Sequence, residues 1–472
     1  VTGKIRFYFF KKENAKLENG RSPHHKILPA FAQIVDFNRE KISMSPKWSK
    51  WAGICTLIFG MVLISIVFAL SGRSSMAAPP AATAVATASE YVVLSWNDLG
   101  MHCYNNDFTD LAVLPPYNTL WAQVVKRGNP PEIVTQGVNV AYYFPDNTTS
   151  LGKTNFWDYD GPFEQLINAE IAPDHGLTGA TLAGNMHVNN DHFVIEGIPL
   201  TEFRDSDPLN PYPYQLAEVV VTDATSGAEL TRATVVAPVS TEMHCDNCHY
   251  DGGVENIRTG KVETNILTLH DRENEDEYPN GHASLMDSRP VLCAECHSSN
   301  ALGAPGINGI PSLSNAIHEK HNGEVSNSLD GCYNCHPGPQ TQCLRDTMSQ
   351  SGMDCIACHG SMSQVSQNNN PWLNEPRCDT CHDDGAHDQD QPLYRMSKDH
   401  GGLYCAACHD SPHAIAPSTQ PNDQIKFIQL QGHSGTLQEC SVCHTAAPDA
   451  AGPHGITKSG LAHNFLPTIQ NQ

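Results

Sequence analysis

Residues 355–359 read Cys355-Ile356-Ala357-Cys358-His359, and the same pattern, Cys-x-x-Cys-His, stands at six other places in the chain. They are Cys245-Asp246-Asn247-Cys248-His249, Cys293-Ala294-Glu295-Cys296-His297 and Cys332-Tyr333-Asn334-Cys335-His336, then Cys378-Asp379-Thr380-Cys381-His382, Cys405-Ala406-Ala407-Cys408-His409 and Cys440-Ser441-Val442-Cys443-His444. Fourteen of the 17 cysteines are used in this way. Paired Cys-x-x-Cys units also build zinc sites, and a lone unit makes a redox disulfide, but neither needs a histidine directly after the second cysteine. Here all seven units have one.

The spacing answers to covalent haem attachment. Two thiols three positions apart, on one turn of chain, reach the two vinyl groups of a haem as thioethers, and the adjacent imidazole supplies a nitrogen to the iron. Seven covalently bound haem c groups are therefore expected. The surrounding texture agrees with this. From residue 242 to the end the chain is rich in Cys, His, Gly, Asn and Asp, with no sustained strand pattern and only short helical stretches. Such a segment is ordinarily disordered, unless an inserted cofactor provides its core. The whole chain of 472 residues is only 40% hydrophobic, with 35 Gly and 32 Pro, which is little apolar material for a conventional interior.

On these seven motifs, residues 242–472 resemble the multihaem c-type cytochromes of periplasmic and extracellular respiration. The resemblance implies a close-packed chain of haems, electron transfer without substrate chemistry, and redox proteins or extracellular acceptors as partners. Some proteins of that kind polymerise into filaments, so a homopolymer is a further implication. Two alternatives stay open. One is a multihaem terminal reductase for a small oxyanion. Such reductases often attach the catalytic haem through a motif ending in Lys, and no such variant occurs here. The other is a membrane-anchored quinol-oxidising cytochrome, in which the haems follow the anchor closely, whereas here residues 89–241 intervene.

Residues 89–241 hold one cysteine, Cys103, and read as mostly β. Tyr91 to Trp96 and Val138 to Phe144 are short β-branched and aromatic runs bounded by turn formers, and Ala217 to Thr222 with Leu230 to Val239 reads as a hairpin turning at Ser226-Gly227. Strands at this spacing predict an N-terminal sandwich-like domain, followed by a multihaem domain with little regular secondary structure. Nothing in the β segment resembles a catalytic triad or a phosphate loop.

Each iron needs a second axial ligand. Outside the motifs, residues 242–472 offer eleven histidines, a surplus over seven that favours bis-His ligation throughout. His282, His321, His400 and His433 precede Cys293, Cys332, Cys405 and Cys440 by five to eleven residues, and a ligand already held near its iron costs little chain entropy. His318 and His321 lie on one helix face, placed to serve two neighbouring haems. His413 follows His409 by a turn and is placed to reach a different haem. With His270, these seven form the expected distal set, ahead of His244, His387, His454 and His463. Met353 and Met362, flanking the fourth motif, are the thioether alternative.

The formal charge of −23, from 51 acidic and 28 basic residues, excludes nucleic acid, which needs clustered Lys and Arg, and disfavours docking on an anionic membrane. It reads as a solvated acidic surface, or as steering towards basic partners and cationic metal species. Acidic clusters at Asp271 to Glu277 and Asp383 to Asp388 raise calcium as a further cofactor, against plain solvated loops. Cys103 and Cys343 are left over as a candidate disulfide, and Cys55 lies in an apolar run from Trp51 to Leu70 that is just long enough to span a bilayer. Lys47 and Lys50 precede that run, and the small-residue site Ala86-Thr87-Ala88 follows it, so residues 44–88 read as a signal peptide or an uncleaved anchor. The chain beyond them is expected to be exported to the periplasm or the cell exterior, touching a membrane only through residues 51–70 if these are retained. Residues 1–43 fit neither reading, and Met44-Ser45-Pro46-Lys47 would give a short basic start, so 1–43 are taken as an over-extended start.

Overall fold

Twelve strands and a set of short helices make up the described part of the chain in the computed structural model, which describes residues 89–279, 282–368, 372–382, 387–446, 448 and 452–455. Residues 1–88, with the segments 1–43 and 44–88 and with Cys55, lie outside the described residues, as does His463. Among the described residues no helix is long and apolar enough to cross a membrane.

The β-branched runs become strands β1 (Tyr91–Asn97), β2 (His102–Cys103), β3 (Leu111–Ala112), β4 (Leu120–Lys126), β5 (Glu132–Val134) and β6 (Val138–Tyr143). These are followed by β7 (Ala183–Asn185), β8 (His187–Asn189), β9 (His192–Ile195), β10 (Tyr214–Asp223), β11 (Glu229–Ser240) and β12 (Val291–Leu292). One sheet runs β1-β4-β9-β8 with β5 on β4, and a second runs β2-β11-β10-β6-β7. Pairing is antiparallel within both except where β2 joins β11. The β10–β11 hairpin turns where Asp223 Oδ1 accepts from the Thr225 and Ser226 amides at 3.1 and 2.7 Å, and Gly227 supplies the left-handed residue (φ 73°).

Strand period decides what lies between the sheets. Odd-numbered Val93 on β1, even-numbered Leu120, Ala122 and Val124 on β4, and Phe193 and Ile195 on β9 point inward. There they meet Val140 and Tyr142 of β6, Val219 and Val221 of β10, and Val235 and Ala237 of β11 in one core. A one-sided sheet would show polar residues at the alternate positions. The first sheet instead carries Val92, Leu94, Trp96, Trp121, Val125 and Val194 there, in a second apolar cluster with Tyr404, Ala406, Ala407 and Val442 from the motif-bearing segment. Strands β1, β4 and β9 of the first sheet are thus buried on both faces, and their outer face is a floor for the last two motifs.

Three further ties fix the motif segment to the sandwich. Gln123 on β4 donates to Gly402 O (3.1 Å) and accepts from the Tyr404 amide (3.0 Å). Gly128, just past β4, exchanges backbone bonds with Cys443 O (3.2 Å) and the Thr445 amide (3.0 Å). At the opposite side β12 pairs in parallel with β3, beside a clamp in which buried Asp110 takes Lys261 Nζ at 2.6 Å and Arg289 Nη1 at 2.8 Å. Beyond β11 the longest helix is Val262–Asn274, of 13 residues, and the only strand among the described residues is β12. Apart from the sandwich, order there comes from turns, caps and ties of this kind.

Candidate functional site

Every motif adopts one turn of helix. The second Cys-x-x-Cys-His unit and the fifth and seventh begin on the 3-10 turns Cys293–Glu295, Cys378–Thr380 and Cys440–Val442, and the fourth and sixth are the helices Cys355–His359 and Cys405–His409. In the remaining two, the histidine amide donates to the first cysteine's carbonyl, His249 to Cys245 at 2.8 Å and His336 to Cys332 at 3.0 Å. The local sequence explains several starts. Asp354 caps its helix by accepting from the Ile356 and Ala357 amides, and Ser328 does so for the turn entering the third motif. A helical turn puts residues i and i+3 on one side, so each cysteine pair presents two sulfurs to the same flank, with the imidazole just beyond.

The rings opposite those imidazoles test whether the donors fit a haem iron. With metal–nitrogen bonds of about 2 Å and about 1.1 Å from ring centroid to nitrogen, two imidazoles facing each other across one metal have centroids about 6.2 Å apart. His249 and His321 stand 6.2 Å apart, His270 and His297 6.3 Å, His318 and His336 6.2 Å, His359 and His413 6.2 Å, and His400 and His444 6.0 Å. His409 faces His454 at 5.7 Å. At the fifth motif His382 has His387 at 4.8 Å, and His387 in turn stacks on His454 at 5.4 Å. Five pairs match the separation closely and a sixth nearly so.

Orientation and charge agree with that use. Nδ1 of His297, His318 and His321 lies 2.7–2.8 Å from the carbonyls of Pro311, Ser314 and Ile317, which holds the N–H on that side and leaves Nε2 as the free donor. Burial, aided by neighbouring imidazoles, pushes His336, His409 and His413 down to about 4, the neutral state that ligates. Burial also pushes the Cys405 and Cys408 thiols up to about 12, the reverse of the lowered values found in reactive thiol sites. Among the described residues no three Cys, His, Asp or Glu side chains gather as a free metal ion would need. Asp271, in the first acidic cluster, accepts from Tyr278 Oη (2.7 Å), Ser284 Oγ (2.5 Å) and two backbone amides. Of the second cluster, 383–386 lie outside the described residues.

The expected distal histidines are distributed differently from their order along the chain. His321, eleven residues before the third motif, faces the first motif instead, and His400, five before the sixth, faces the seventh. His318, His413 and His270 face the third, fourth and second. His282 and His433 are not brought against a motif ring. His282 Nδ1 meets Ala283 O at 2.8 Å beside Tyr278. His433 is 42% exposed, with Nδ1 on Ser434 O and Nε2 3.6 Å from Glu439. Of the residues set behind, His387 and His454 join motif rings, while His244 pairs with Glu242 at 3.2 Å. Cys103 and Cys343 stand as two free, partly buried thiols, and burial together with Cys343 pushes the Cys103 thiol well up.

Sequence reasoning missed the groups behind the motifs. Trp96, Trp121, His192 and Tyr404 form a buried ring cluster, with His192 stacked on Trp121 at 4.3 Å, directly under the turn that starts at Cys405. Arg345 holds Asp423 at 2.7 Å with both side chains buried, and Lys426 holds Asp410, the residue after His409, at 2.9 Å. The one signal available was Tyr404, an aromatic residue adjoining an attachment cysteine. Comparison with known protein families, characterised proteins and solved structures finds no match to this chain.

Proposed function

We propose that the chain attaches seven haems c through its Cys-x-x-Cys-His turns and passes electrons along them outside the cytoplasm, with no substrate chemistry of its own. The observation that carries this reading is the set of opposed imidazoles at 6.0–6.3 Å. Bound there, the groups would supply reversible one-electron exchange at iron. The chain's own part is to hold both axial rings and deny an open position to outside ligands. Redox proteins or extracellular acceptors are the partners this implies, and a second copy of the chain is a further one.

Mass spectrometry of the mature protein is expected to show seven covalent haems, and one fewer for each motif whose two cysteines are replaced by alanine. An apoprotein mass with bound zinc would end the proposal. Export belongs to the same reading. N-terminal sequencing of the protein recovered outside the cytoplasm is expected to begin between Ala78 and Tyr91. Recovery only in membranes, with residues 51–70 intact, would replace cleavage by anchoring.

A further inference from the structure

Seven attachment sites in one chain can be arranged in many spatial orders, and contacts between the motifs select one. The first and third motifs touch. Asn247, between the cysteines of the first, donates to Asn334 Oδ1 at 2.7 Å, in the same position of the third, and the His244 amide donates to Asn334 O at 3.0 Å. The helix Leu313–His321 carries the facing ring for both, His321 for the first and His318 for the third, about 4.5 Å apart along its axis.

The second motif is tied to the first through one helix, and the residue after its histidine, Ser298, accepts the Leu313 amide at 3.0 Å at the start of the helix Leu313–His321. Asn265, in the opening of the Val262–Asn274 helix, donates to His249 O at 2.9 Å, and the same helix carries His270 to the ring of His297 about 7.5 Å further along. Glu273, near that helix's end, pairs with Lys320 of the helix Leu313–His321. The helix Val262–Asn274 thus joins the first motif to the second and rests against the helix that serves the first and third.

From the third motif the file follows chain order. The Met362 amide, after the fourth, donates to Asn327 Oδ1 ahead of the third at 2.8 Å, and the Cys332 and Cys355 thiols shift one another's ionisation. Cys358 and Cys381 are electrostatic neighbours, as are Cys378 and Cys405. The rings His382, His387, His454 and His409 run continuously from the fifth motif to the sixth. Leu437 donates its amide to Cys408 O at 2.9 Å, and His400, just ahead of the sixth motif, faces His444 of the seventh.

We infer that the attachment sites form a single unbranched file in the order second, first, third, fourth, fifth, sixth, seventh, so that electrons enter and leave at the groups on Cys293/Cys296 and Cys440/Cys443. This deepens the proposed function and rests on it. The group nearest the sandwich in sequence, on Cys245/Cys248, is interior, flanked by two others.

Iron positions in crystals of the full holoprotein, found by anomalous scattering and assigned by their cysteines, test the order. The expected result is seven irons in one file, with the Cys245/Cys248 iron having those of Cys293/Cys296 and Cys332/Cys335 as its two nearest neighbours. Seven irons with the Cys293/Cys296 iron lying between the other two would overturn the order and leave the parent reading standing. Irons missing from the motifs would overturn both.

Discussion

Carbon monoxide is expected to bind negligibly to the reduced holoprotein, and to one haem in seven once His400 is replaced by alanine. An iron takes an outside ligand only where an axial position is open or weakly held. His400 stands 6.0 Å from His444, fixed by the backbone that also bonds Gln123, so its imidazole is always present at far higher effective concentration than a diffusing gas. Removing it leaves one five-coordinate site, read as one carbon-monoxide-shifted haem per chain and a new high-spin ferric signal. His433→Ala is the informative control. It precedes the same motif more closely in sequence, yet its exposed ring pairs with Glu439, so its loss is expected to change neither signal. His400→Met is expected to raise the potential of one haem, as a Met ligand does, and leave the other six nearly unchanged. Stoichiometric carbon monoxide binding to the native protein would favour the reductase alternative instead.

Arg345→Met is expected to lower stability by about 3–5 kcal/mol, the usual cost of stranding one partner of a buried ion pair. Arg345 makes two bonds to Asp423, at 2.7 and 3.1 Å, donates to Gly100 O at 2.9 Å, and lies over the Tyr214 ring at 5.0 Å. Loss of the guanidinium would leave the Asp423 carboxylate buried without a counter-charge. The effect extends to the fourth motif, because the Arg345 amide donates to His413 O at 2.9 Å and that ring faces His359. Urea unfolding of the holoprotein, followed through far-ultraviolet circular dichroism, measures the fall in midpoint. The double variant Arg345→Met/Asp423→Leu is expected to recover most of it, since replacing both partners by apolar groups removes the stranded charge. If the single variant unfolded at the native midpoint, the pair would carry little of the junction's stability.

The Cys-x-x-Cys-His turns were legible because their pattern is local: five residues suffice to write one. The strands were legible for a similar reason, as period two shows in any short run, and β1 and β6 fall close to the expected stretches. Which rings face one another was not legible; closeness along the chain would give His321 to His336 and His433 to His444. Yet loop closure costs only about 0.6 kcal/mol more per doubling of loop length, so sequence distance barely ranks one histidine against another. Three-dimensional ties decide instead, such as the Asn247–Asn334 bond and the helix that presents two rings. The second face of the first sheet was hidden too. Val92, Leu94 and Trp96 could be seen as apolar, but their partners, Tyr404, Ala406 and Val442, lie roughly three hundred residues away.

That two-faced sheet bears on how the protein can be made. Chains emerge from their amino end, so β1, β4 and β9 are complete before residues 394–443 exist to cover them. Until the last two motifs dock, Val92, Leu94, Trp96, Trp121 and Val125 form a wet apolar strip of the kind that chaperones hold and proteases find. Docking of the carboxyl-terminal motifs thus protects the amino-terminal half, and a chain truncated before Cys405 would be cleared although its sandwich core is intact.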